Sequence, residues 1–107
     1  MKYDYPKEFQ IGGLAYSISL LDSTTTDGDG KWTGDACHNI CEIRIATRTN
    51  DGGHRNLGAV EEALWHEIIH TVNHVYSMSQ DEDNIERMAQ GLFQIFNQLG
   101  WHIIREK

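Results

Sequence analysis

The stretch Gly58-Ala-Val-Glu-Glu-Ala-Leu-Trp-His-Glu-Ile-Ile-His70 decides how this chain is read, because it sets an H-E-x-x-H motif inside a helical repeat. At 3.6 residues per turn, His66 and His70 stand one above the other on a helix, where both imidazoles can reach a single ion. Glu67 can lie beside the water that such an ion holds and take its proton. Zinc is the expected ion: it suits imidazole, and a catalytic zinc site uses three protein ligands and leaves the fourth position to water. Stepping 100° per residue from Val60, the apolar side chains Val60, Leu64, Trp65, Ile68, Ile69, Val72, Val75 and Tyr76 fill about half the circumference. His66, Glu67, His70, Asn73 and His74 share the other arc, so the histidines are expected off the core face.

A third ligand must come from elsewhere. His74 lies two turns beyond His66, about 12 Å further along the axis, too far for one ion on a straight helix. Metallopeptidases with three histidine ligands break the helix at a Gly and follow it with a third His, but those positions here hold Asn73 and Tyr76. An acid from the next helix remains. Ser79 and Glu82 read as its capping box and Gly100 as its stop. Ile85, Met88, Ala89, Leu92, Phe96 and Leu99 form its expected buried stripe, with Glu86 on the border and Phe93 alongside. A carboxylate on that border can reach a neighbouring helix, so Glu86 is preferred as third ligand. Glu82 is the rival, expected to be occupied by capping, while Asp81 and Asp83 suit the exposed first turn.

Followed by Glu86-Arg-Met-Ala-Gln-Gly-Leu-Phe-Gln-Ile95, the motif helix resembles the small zincin metallopeptidases found in many bacteriophage genomes, related to the ImmA/IrrE group. The resemblance covers roughly residues 34 to 99. Gly34-Asp-Ala-Cys-His-Asn-Ile-Cys-Glu-Ile-Arg-Ile45 is similar to the strand before that family's active helix. It implies a zincin-like α+β fold, a small antiparallel or mixed sheet packed on two main helices. It also implies zinc held by His66, His70 and Glu86, the last from an E-x-x-A segment, with Glu67 as catalytic base. The substrate would lie extended along the sheet's edge strand, expected here at residues 39 to 47. His74 has no counterpart in the family pattern.

Composition bounds the rest. With 107 residues, 39% of them apolar and 23% charged, residues 1–107 suit one globular domain. No apolar run approaches the ~20 residues that cross a bilayer, and no secretion signal opens the chain, so a cytoplasmic protein without a membrane partner is expected. A formal charge of -7 argues against direct nucleic-acid binding, leaving only a local patch at Arg44, Arg48 and Arg55.

The N-terminal half reads as strands and loops. Phe9 to Ile11 and Leu14 to Leu21 flank Gly12-Gly13 as a hairpin, with Ala15, Ser17 and Ser19 alternating against Tyr16, Ile18 and Leu20. Residues 22 to 38 are polar enough to read as a surface loop, a candidate lid with Trp32 as its one large apolar side chain in mid-segment. Asn39 to Thr47 suggests a third strand, Asn50-Asp-Gly-Gly53 a turn, and Trp101 to Arg105 a short last strand. Cys37 and Cys41 lack the partner pair a zinc ribbon needs and read as reduced thiols; Asp27-Gly-Asp-Gly30 fails the calcium-loop pattern and reads as a solvated turn.

These readings lead to zinc-dependent hydrolysis of a peptide bond in a protein or peptide substrate, with Glu67 as the general base. His38, His74, Tyr76 and His102 are the candidate donors to the oxyanion. The alternative is a zinc-stabilised protein-binding module with a vestigial peptidase site, against which an intact Glu67 speaks.

Overall fold

The computed structural model describes residues 2–24, 33–49 and 51–107; the proposed lid residue Trp32, the Asp27–Gly30 turn and Asn50 lie outside them. The chain forms β1 (Tyr3–Asp4), β2 (Glu8–Ile11), β3 (Leu14–Thr24), β4 (Gly34–Cys37), β5 (Glu42–Arg48), α1 (Leu57–Val75), α2 (Glu82–Gln98) and β6 (Arg105–Glu106). The fold is α+β: a four-stranded mixed sheet in the order β2-β3-β5-β4, and a two-stranded ribbon in which β1 pairs with β6.

The β2–β3 hairpin turns at Gly12 and Gly13, whose φ angles of 57° and 82° suit glycine. Along β3 the expected alternation puts Tyr16 and Ile18 in the core. β5 runs parallel to β3 and antiparallel to β4, so β5 is an inner strand. This corrects the expectation that residues 39 to 47 form the edge. The strand begins at Glu42, not Asn39. Residues 38–41 are the β4–β5 turn, closed at Cys41 with φ 52°, and Ile40 projects from it 64% exposed. Cys37 and Cys41 are free thiols. The outer strand on that side is β4, inside the segment expected to be loop.

α1 packs on β4 and β5, and Tyr16, Ile18, Ile43, Ile45, Val60, Leu64 and Ile104 make the core. The helix is capped by the Asn56 carboxamide, which accepts from the Gly58 N–H at 2.8 Å. Its buried residues are Val60, Glu61, Leu64, Glu67 and Thr71. The apolar arc is therefore divided: Val60 and Leu64 meet the sheet, while Trp65 meets Phe96 of α2 with ring centroids 5.0 Å apart. Glu67 lies at the border of the sheet-facing arc and is buried, and Tyr76, expected on the apolar side, is exposed.

α2 begins one residue after Asp81, whose carboxylate accepts from the Asn84 N–H at 2.8 Å. Asp81 is thus the cap, in place of the expected Ser79–Glu82 box. Ile85 and Ala89 are buried, but Met88 and Leu99 are exposed, because α2 covers one flank of α1 and leaves the rest of its stripe to solvent. The expected last strand is reduced to Arg105–Glu106, and Ile104 just before it enters the core. None of the described helices is long and apolar enough to cross a membrane.

Candidate metal centre

His66 and His70, one turn apart on α1, bring their Nε2 atoms to 3.1 Å. Glu82, at the first position of α2, places one carboxylate oxygen 2.7 Å from His66 Nε2 and the other 2.8 Å from His70 Nε2. Among the described residues these three form the one group of His, Cys, Asp or Glu donors that converges, all within 4.8 Å of one another.

The acid that converges on the two histidines is thus Glu82, while Glu86, the preferred third ligand, stands outside the group. Two local features explain the exchange. Capping by Asp81 leaves the Glu82 carboxylate unoccupied by the backbone, and the Asn73 carboxamide, accepting from the Gln80 N–H at 3.1 Å, fixes the linker just ahead of it. α2 then runs back towards the start of α1: a Cβ placed on Gly58 would stand 3.4 Å from Phe93. Glu86, one turn past Glu82, is carried about 6 Å along that path. It still lines the cavity beside the centre.

That cavity, about 680 Å³, is walled by residues 33–36 and His38 on one side, by Ala59, Glu62, Ala63, His66, Glu67 and His70 of α1 on another, and by Glu82, Glu86 and Ala89 of α2. Glu67 is 8% exposed, lines the cavity and has no hydrogen-bond partner for its carboxylate among the described residues. Burial pushes its pKa up to about 7; the His66 charge opposes the rise, and the Glu82 and Asp35 charges add to it. A carboxyl held there suits proton transfer at neutral pH.

His38 is a residue the sequence could not single out. The Tyr16 hydroxyl stands 3.0 Å from its Nδ1, and its ring stacks on His74 at 3.9 Å with planes 2° apart. Burial, then the charges of His74 and His70, hold its pKa below the usual imidazole value. With Tyr16 donating to Nδ1, the neutral ring carries its proton on Nε2, a donor on a side chain that lines the cavity. The other candidate donors sit elsewhere: His74 lies against the His38 ring, Tyr76 is exposed past the end of α1, and His102 Nδ1 is 3.2 Å from Glu61.

No family model, curated protein or solved structure matches the chain. The donor chemistry of the centre is what bears on function. A tetrahedral ion bonded at about 2 Å accepts donors about 3.3 Å apart, close to the 3.1 Å between the two imidazole nitrogens.

Proposed function

We propose that the protein is a zinc-dependent metallopeptidase of the zincin type, its metal held by His66, His70 and Glu82. The observation that carries this reading is the convergence of those donors beside a buried, unpartnered Glu67 on one open cavity. A His2Glu donor set with a carboxylate at the residue after the first histidine suits a hydrolytic centre. When bound, zinc would supply Lewis acidity towards a peptide carbonyl and towards water. Glu67 takes the proton of the attacking water and returns it to the leaving amine. His38, through Nε2–H, donates to the oxygen that gains charge, with Tyr16 and His74 fixing its ring. The peptide lies along β4, the outer strand that lines the cavity, in place of the inner strand β5. The same reading takes the reaction to be cytoplasmic, in a host cell if the chain is phage-encoded.

The test is metal stoichiometry. One zinc per chain is expected, lost in His66→Ala, His70→Ala and Glu82→Ala and retained in Glu86→Ala. Zinc retained by Glu82→Ala and lost by Glu86→Ala would reverse the ligand assignment; no zinc in the unaltered protein would end the reading.

A second reading, a zinc-stabilised protein-binding module, draws on the exposed Met88, Ile95, Leu99 and Trp101 on and just after α2. In that case zinc supports the fold and Glu67 has no task.

A further inference from the structure

Three arginines were candidates for a basic patch, and the structure treats them differently. Arg44 is held by Asp35 through contacts of 2.9 and 2.5 Å, and Arg48 by Asp22. Arg55 has no carboxylate within ion-pair distance among the described residues, although it lines the cavity of the candidate metal centre. Its neighbours are carbonyl oxygens. One Nη1–H donates to Ala46 O at 2.7 Å, a second to Thr33 O at 3.5 Å, and one Nη2–H to Ala59 O at 3.4 Å. A guanidinium has five N–H donors, so Nε–H and one Nη2–H remain.

Among the described residues this is a fixed but uncompensated cation. Carbonyls from the end of β5, from the residue before β4 and from the first turn of α1 set its position, yet none carries a charge to neutralise it. Burial draws the Arg55 pKa below its usual value. The first turn of α1 holds no acid, and Glu62, which lines the same cavity, makes no ion pair with Arg55. Planar donors left free on a fixed side chain that lines an open cavity match a carboxylate better than any neutral group.

We infer that Arg55 is a carboxylate-binding subsite of the cavity, which selects peptides bearing an acidic side chain or a free C-terminus. The statement rests on the peptidase reading for its substrate class. Spacing then locates the subsite. Ala59, which accepts from Arg55, precedes His66 by seven residues, about 10 Å along α1. An extended peptide covers that in about three residues, so the recognised carboxylate lies about three residues from the bond that is cut.

The test reads the subsite directly. Isotope-labelled protein as purified, and again after chelation, is titrated with N-acetylaspartate amide, with N-acetylglycine and with neutral N-acetylasparagine amide while the Arg55 Nε–H resonance is followed. Saturable shifts with one or both carboxylates and none with the neutral amide are expected; the tighter of the two carboxylates identifies side chain or C-terminus as the source. Arg55→Lys, which keeps the charge but loses the planar fork, should weaken binding by about ten-fold. An Arg55 signal unmoved by either carboxylate, or moved equally by the neutral amide, overturns the subsite. If the variant does not fold, the signal of the unaltered protein still decides. Because chelated protein is included, failure to bind zinc would remove the peptidase reading without altering this result.

Discussion

Glu61 and Glu67 lie six residues apart on one helix, both with little exposure, and their surroundings treat them in opposite ways. Around Glu61 both carboxylate oxygens are met, although the residue also borders a second cavity. One oxygen accepts from the Ile103 and Ile104 N–H groups at 2.9 and 3.1 Å, and the other stands 3.2 Å from His102 Nδ1. The result is a latch that holds the C-terminal segment down while Ile104 fills the core. Around Glu67 no described residue answers the carboxylate, and the side chain opens on a cavity. A buried acid with its hydrogen bonds complete stabilises a fold; one without them costs stability and is available for chemistry. The contrast separates α1 into an end whose buried acid is tied to the fold and a middle whose buried acid is left for the proposed chemistry.

The largest effect that would break this contrast is on stability at the latch. Glu61→Ala strands one buried and one partly buried N–H group and frees the segment that carries Ile104, so a loss of about 3 kcal/mol is expected in thermal or denaturant unfolding. Zinc stoichiometry should stay at that of the unaltered protein. Loss of zinc with no loss of stability would make Glu61 part of the reactive region and erase the distinction.

Glu67→Gln should do the reverse. On any substrate found for the protein, turnover should fall by about 100-fold or more with zinc retained, because the amide keeps the shape and removes the base. Full biological effect in that variant would favour the binding module instead. Stability carries a second signature. Between pH 4.5 and about 7 the folded chain retains a proton on Glu67 that the unfolded chain has released, so this group makes stability fall as pH rises through that window and level off above it. In chelated protein, Glu67→Gln should therefore gain on the unaltered chain from acid to neutral pH, by at most about 3 kcal/mol. A difference in melting temperature that stays flat with pH would show that Glu67 is not held uncharged by its surroundings.

The two regions were also unequally legible in the sequence. His66 and His70 could be paired from spacing alone, since i and i+4 are neighbours on any helix. The β2–β3 hairpin was legible for a similar reason: Gly12-Gly13 and the Tyr16–Ile18 alternation are local signals. The identity of the third acid was not, because it turned on a helix start: Asp81, not Ser79, caps α2, and that shift of register frees Glu82 and moves Glu86 along the cavity. β4 has four residues without alternation in a polar stretch, and only its pairing with β5 makes it a strand. Glu61 gave no signal at all. Its partners lie 41 to 43 residues further along the chain, beyond the reach of any periodicity.

The smallest expected effect sharpens what the latch is made of. Glu61 is held by two main-chain N–H groups on one oxygen and by a half-exposed imidazole on the other, and these differ in what their removal leaves behind. His102→Ala leaves both main-chain bonds in place and opens one carboxylate oxygen to water, which replaces the lost donor. The cost should be about 0.5 to 1 kcal/mol, that of one partly exposed hydrogen bond, and amide exchange at Ile103 and Ile104 should stay slow. Glu61→Ala should speed exchange at both positions. If His102→Ala instead cost as much as Glu61→Ala, the latch would be an ion pair that happens to sit near two amides. Main-chain bonds would then no longer set Glu61 apart, and the comparison between Glu61 and Glu67 would lose its basis.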